Sequence, residues 1–287
     1  MFFLQNRTLL GQTADSRRRA ADITAYTRQL LADSAEGLCF NPENHTYFIG
    51  DIRIPCVSDI VEWFAPFDSE AMAERCSKNP AHKLFGKTIE EILSIWKEKG
   101  TQAAEMGTQV HEFGEVCFHY VRGETEQIPS EYRDRLTDTG LIAVTPKEEA
   151  IARWWEALNM ERFIPIAKET KIINPVLHYA GTFDLLLYDL AKQCFVLKDY
   201  KTNEELFRSY GNKLRAPLSI IDASSHGKYT LQQNLYRIQL LNIGINVEAM
   251  ELIWLKEDGT FEEVNIPDYE TLVRYAISTN QNSIINT

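Results

Sequence analysis

The pattern of apolar and polar positions changes character near Pro165. Upstream of it the spacing is mostly helical. Residues 12–33 predict a polar helix whose run Arg17, Arg18, Arg19 reads as a solvated face. TYFIGDIRI (46–54) predicts two short strands around Gly50-Asp51, and Ser58 is positioned to cap a short helix ending near Pro66. Thr88 with Glu91 makes a capping box for IEEILSIWKEKG, and Thr145-Pro146 with Glu148 starts a helix through Trp154 and Trp155, a pair read as core. Between them Gln102–Val121 is helical without proline, and Gly107 and Gly114, each unfavourable by roughly 1 kcal/mol relative to Ala, suggest close packing.

Downstream of Pro165 the period becomes two. IAKETKII, GTFDLLLYDL and CFVLKDYKT predict three strands, followed by a Gly- and Ser-bearing loop over 209–228 and a helix from Tyr229 to Ile243. VEAMELIWL, a Glu257-Asp258-Gly259 turn, FEEVNI and a last helix after Pro267 complete the chain. Helix, three strands, helix, strand is the order of an α/β layered core, with the first hundred residues added on one side.

With 287 residues, 44% hydrophobic and 25% charged, the composition is that of a globular protein and excludes disorder or a collagen-like chain. The five cysteines are odd in number and widely spaced, so neither a disulfide framework nor a CxxC metal knuckle is expected, and a reduced, cytoplasmic setting is the default. The start MFFLQNRTLLGQ lacks a basic region ahead of its apolar residues, so no signal peptide is expected. No apolar run approaches the roughly 20 residues of a membrane helix. The net charge of −11 argues at first against a polyanionic partner.

Candidate chemistry concentrates in Gly181–Lys201. Strand alternation places the Asp184 carboxylate on the face opposite Phe183, Leu185 and Leu187. Asp199 and Lys201, two apart, share a face of the next strand. If the two strands pair through a tight connection near 189–192, two carboxylates and an ammonium converge beside an apolar run, where charges must be paired or bound to a metal. Two hard oxygen ligands suit Mg²⁺ or Mn²⁺, and a neighbouring Lys can orient an attacking water. Glu169-Thr170-Lys171 has the same acid-x-Lys spacing but no acid on a partner strand upstream. It is therefore discounted, with Glu169 read as a strand-face charge and, alternatively, as an auxiliary acid. Gly107, Thr108, His111 and Glu115 fall along one helix face, giving an imidazole four residues from a carboxylate. Gln232 and Tyr236, again i and i+4, can hydrogen-bond phosphate or water.

Taken in order, GTQVHEFGE, GTFD, DYKT and QQNLY resemble the motif set of the RecB-like branch of the PD-(D/E)XK nuclease superfamily, over about residues 100–255. HTYFIGDIRIPCVSDIVEWF is similar, more weakly, to the N-terminal region of phage- and prophage-type members. The resemblance implies a restriction-endonuclease-like αβββαβ core at 100–287, a central mixed sheet flanked by helices with a C-terminal hairpin and helix. A mostly helical N-terminal extension with a short hairpin would occupy 1–99. It further implies that His111, Asp184, Asp199 and the backbone carbonyl of Tyr200 ligate Mg²⁺ or Mn²⁺, that Lys201 assists the attacking water, and that Glu115, Gln232 and Tyr236 support the site. No cysteine follows position 194, so the iron–sulfur cluster of some relatives is not expected.

The implied activity is a metal-dependent deoxyribonuclease, foremost an exonuclease of DNA recombination, repair or phage DNA metabolism. Its partners would be DNA and a recombination or annealing protein, with no membrane. The alternatives are a DNA-binding recombination factor that does not cut and an endonuclease of structure-specific or restriction type. Between Lys192 and Arg237 eight basic residues face four acidic ones, a net +4. The expected nucleic-acid contacts are accordingly Thr202, Lys213, Arg215, Lys228 and Arg237, with the acidic remainder discouraging unproductive binding.

Overall fold

The computed structural model describes residues 2–5 and 14–285. In chain order these form β1 (Phe2–Leu4), α1 (Ala14–Ser34), β2 (Leu38–Asn41), β3 (Thr46–Ile49), β4 (Ile52–Ile54), α2 (Val57–Phe64), α3 (Ser69–Lys78) and α4 (Ile89–Arg122). There follow α5 (Ser130–Arg133), β5 (Leu136–Thr137), β6 (Gly140–Ala143), α6 (Pro146–Ala157), β7 (Phe163–Asn174), β8 (Tyr179–Asp189) and β9 (Cys194–Lys201). The last elements are α7 (Ser225–Asn242), β10 (Val247–Leu255), β11 (Phe261–Asn265) and α8 (Glu270–Ile285). Positions 12 and 13 of the expected first helix lie outside the described residues.

The fold is mixed α/β. Its centre is a five-stranded sheet of order β11-β10-β9-β8-β7. The β7–β8, β8–β9 and β10–β11 pairs are antiparallel, while β9 and β10 run parallel and are joined through α7. This is the expected αβββαβ order, α4-β7-β8-β9-α7-β10, with α5, β5, β6 and α6 set between α4 and β7. One sheet face buries Leu186 and Leu197 against Leu231 and Leu235 of α7 and Val273 of α8. The other buries Leu185, Leu187 and Val196 against Phe113 and Val116 of α4 and the Trp154–Trp155 pair of α6, both of which are core. Phe183 departs from the expected alternation: it packs on the α7 side with Leu186, because β8 pairs with β9 only from Leu185 onward and the two strands splay beyond it. The β7 edge is covered by arginines, with Arg28 Nε donating to the Ile166 carbonyl at 2.8 Å and Arg122 to that of Pro165.

Three local expectations are corrected. Cys56 rather than Ser58 caps α2: the Asp59 N–H donates to Cys56 Sγ at 3.3 Å and the Asp59 carboxylate accepts from the Cys56 N–H. The two helices expected on either side of Gly100 are one, α4, which also crosses the expected 99/100 division. Only Gly123, at φ 73°, adopts the left-handed conformation that ends it. Finally, α7 starts at Ser225, not Tyr229, because the Ser224 side chain accepts from the Gly227 N–H, and Gly227 lies so close to the Asp222 carbonyl that no Cβ fits.

Of the two glycines expected to mark close packing, only Gly114 does: a Cβ there would lie 2.7 Å from the Tyr200 ring, whereas Gly107 has nothing within 4 Å. No helix among the described residues is long and apolar enough to cross a membrane.

Candidate active site

Where β8 and β9 part, their freed backbone groups need partners, and side chains supply them. The Tyr200 N–H donates to Asp184 Oδ2 at 3.1 Å, tying the end of β9 to the carboxylate of β8. Asp199, on the α7 face of β9, is buried and held from two sides, by Lys201 Nζ at 2.7 Å and by Gln233 Nε2 at 2.8 Å. His111 reaches in from α4, its Nδ1 lying 3.3 Å from Asp184 Oδ2 and 3.1 Å from Glu169 Oε1. The β7–β8 register sets Glu169 across from Asp184, between the Lys168↔Leu185 and Thr170↔Phe183 pairs. Glu169 holds φ at 38°, a conformation costly for a non-glycine residue and concentrated at functional positions.

The electrostatics follow from this crowding of acids. Burial pushes the Asp199 carboxyl well above the usual carboxylate range, and Asp184 beside it adds to the shift. Burial alone would lower His111, but Asp184 and Glu169 outweigh it and push the imidazole up to about 9. Lys201 is likewise raised, Asp199 and Asp184 overcoming its burial. Tyr236 is buried and its phenol raised, first by burial and then by Asp184 and Asp199, so it stands at the cluster. A Cβ at Gly181 would meet its ring at 2.7 Å.

His111, Glu169 and Asp184 offer three ligand atoms within 4.8 Å of one another. Two ligands at ~2.1 Å from one Mg²⁺ can stand at most about 4.2 Å apart, so the 3.1 and 3.3 Å separations fit as they are. The donor set, one imidazole and two carboxylates, suits a hard divalent ion, and the field that holds a proton on His111 would equally hold a cation. The buried Gln232 Oε1 beside Tyr236 and the buried Gln233 Oε1 have no hydrogen-bond partner among the described residues.

The structure thus brings together His111, Asp184, Asp199, Lys201, Tyr236 and the Tyr200 N–H, with Gln232 next to Tyr236. Glu115 is elsewhere: its carboxylate is ion-paired with Lys168 of β7. The expected nucleic-acid contacts are dispersed. Arg237 bonds the Val247 carbonyl, Asp268 and Glu270 at the end of β10 opposite Asp199, roughly 13 Å away at ~3.3 Å per residue. Lys213 pairs with Asp222 at 2.6 Å, Arg215 stacks over Trp63, Thr202 offers its carbonyl to Lys147, and Lys228 lies in the first turn of α7.

One residue escaped the sequence: Gln233, whose Nε2 holds Asp199, is the neighbour of the Gln232 that the motif singles out. Glu169, read from the sequence as a strand-face charge and alternatively as an auxiliary acid, stands beside His111 because the β7–β8 register sets it across from Asp184.

No protein-family model matches the chain, and no curated protein matches it. Twelve chains of solved structures do. One is a Eubacterium rectale protein described as a "putative exonuclease", with 14% identity and a TM-score of 0.36. The match covers 61% of this chain and 65% of that one, just under two thirds of its length. A likeness at this level carries no information about chemistry, which rests on the site itself.

Proposed function

We propose that the chain is a metal-dependent nuclease that hydrolyses DNA phosphodiester bonds, acting from an end as an exonuclease in recombination, repair or phage DNA metabolism. The observation that carries this reading is the convergence of His111, Glu169 and Asp184 within 4.8 Å beside the buried Asp199–Lys201 pair.

His111, Glu169, Asp184, Asp199 and the Tyr200 carbonyl are the groups that would hold Mg²⁺ or Mn²⁺. When bound, such an ion supplies Lewis acidity, lowering the pKa of a water and offsetting charge that builds on the phosphate. The protein's own part is placement. Asp199 fixes the Lys201 ammonium, 4.4 Å from the Tyr229 ring centroid, where it can hydrogen-bond the attacking water or a non-bridging phosphate oxygen. Gln233 fixes the Asp199 rotamer and the Tyr200 N–H fixes Asp184, so neither carboxylate must be ordered when substrate arrives. Gln232 and Tyr236 line the α7 side, where an unpartnered amide oxygen can accept from water. Attack of the water oxygen on phosphorus breaks one P–O ester bond and leaves a phosphate monoester and a sugar hydroxyl.

End-labelled linear DNA should be shortened on adding Mg²⁺ or Mn²⁺ and left intact in EDTA, while closed circular DNA survives both. Asp184→Asn should reduce the rate to background without loss of the cooperative thermal transition. Absence of cleavage of any DNA with either metal refutes the function, and an active Asp184→Asn refutes the site.

A further inference from the structure

Between α1, the second half of α4 and the edge strand β7 lies a cavity of about 410 Å³. Its lining is mixed: Ala32, Ala35 and Phe118 contribute apolar surface, and Arg28, Lys168 and Lys171 contribute cations. The volume suits one nucleotide-sized ligand.

The charges around this cavity do not balance. Lys168 is paired with Glu115. Arg122, His119 and Arg28 all converge on one carboxylate, Glu124, at 2.7, 3.0 and 3.9 Å. Lys171 makes a cation–π contact with Phe40, at 5.3 Å, and has no carboxylate partner among the described residues. Four cations therefore meet two anions, a local surplus of two positive charges before His119 is counted, in a chain whose net charge is −11. Arg28 is partly desolvated and sits beside Arg122, and both effects lower its pKa, an unfavourable state that an anion would relieve.

Position ties the cavity to the candidate metal centre. Lys168, Thr170 and Lys171 flank Glu169 on β7, and Phe118 follows His111 by seven residues on α4, roughly 10 Å along the helix axis. That is about three nucleotides of a strand rising ~3.4 Å each. The basic residues of the 202–224 loop offer less: Arg208 is paired with Glu205 and Lys213 with Asp222.

We propose that this cavity binds a backbone phosphate, with its nucleoside, of the nucleic-acid strand engaged at the His111–Glu169–Asp184 cluster. It rests on the nuclease reading for the identity of that strand. It moves the strand path from the loop after β9 to the β7 edge.

Binding of a labelled single-stranded oligonucleotide, read by fluorescence anisotropy in EDTA across a salt series, tests it. Lys171→Gln should weaken binding several-fold and make the log–log salt slope shallower by about 0.7, one phosphate contact on a single strand. Ala32→Glu, which sets a carboxylate into the cavity at an exposed helical position, should weaken binding at least tenfold. Tyr26→Glu, the same charge on the far side of α1 and 68% exposed, should bind as wild type. Unchanged affinity and slope in both cavity variants, with wild-type unfolding midpoints, overturns the proposal. So does a nucleoside monophosphate that binds through Lys171 while the oligonucleotide does not. Because binding is read without metal, its outcome stands apart from whether the wild type cleaves DNA in Mg²⁺.

Discussion

Gly107 and Gly114 lie two turns apart on α4, and substitution by Ala should stabilise the protein at the first and not at the second. At Gly107 an added Cβ meets nothing within 4 Å, so Ala should stabilise by roughly 0.5–1 kcal/mol through helix propensity alone. At Gly114 the Cβ would fall 2.7 Å from Tyr200 Cε2 and 3.2 Å from two further ring atoms, where unstrained carbon contacts lie at about 3.5–4.0 Å. The ring is buried and flanked edge-on by His111 and Trp154, each centroid 6.1 Å away, so it has little room to yield. Overpacking of this kind costs about 1–3 kcal/mol, which outweighs the gain of ~1 kcal/mol in propensity or cancels it. Thermal unfolding of the two variants should therefore differ by several degrees, at about 2–4 °C per kcal/mol for domains somewhat smaller than this. Displacing Tyr200 also moves the N–H that holds Asp184, so Gly114→Ala should lower Mn²⁺ affinity while Gly107→Ala leaves it unchanged. Equal stabilisation by both substitutions would refute the proposed wedging of Tyr200 beneath α4.

Other outcomes follow from the same geometry. Glu169→Gln removes a candidate ligand and should lower metal affinity and cleavage at least 10–100-fold, the loss typical of even the supporting residues of a metal site. Glu115→Gln, which breaks only the half-exposed pair with Lys168, should leave cleavage within twofold and stability within about 1 kcal/mol; equal effects of the two in a cleavage assay would contradict the assignment. Although burial would raise it, hydrogen bonds from Arg274 and Arg237 hold the Glu270 carboxyl below its ordinary 4.5. Its contribution to stability is thus complete above that value and lost as pH falls through the lowered one. Urea midpoints between pH 6 and 3 should fall more steeply for wild type than for Glu270→Gln, and parallel curves would contradict this.

What could be read from the sequence was whatever a local rule governs. The Thr88–Glu91 and Thr145–Glu148 boxes close as their spacing requires, and the Asp184/Asp199/Lys201 set meets because hairpin pairing is dictated by period-two strands. The misreadings lie where a tertiary partner decides. Gly100 ends no helix, because α4 passes from the small cluster around Ala73 and Ile92 to the main core without a left-handed residue until Gly123. Glu169 and not Glu115 lies beside His111, because which acid meets that imidazole depends on how α4 crosses β7, which no local spacing encodes. The +4 stretch loses much of its meaning for the same reason, since Lys198 is matched by Glu251 and Glu263 and Arg237 by Asp268 and Glu270, acids that lie outside it in sequence.

The most direct test of the central claim is the single-turnover rate of Mg²⁺-dependent hydrolysis of labelled linear DNA by Lys201→Ala, measured at saturating metal beside the wild type. Lys201 contacts none of the three clustered ligand atoms but is bonded to Asp199 at 2.7 Å, so the variant's unfolding midpoint and metal affinity are measured beside the rate, which is compared under conditions where the variant is folded and metal-saturated. The rate should fall about 10²–10⁴-fold, as expected when a group that positions or deprotonates the attacking water is removed. A rate within twofold of wild type would contradict the account.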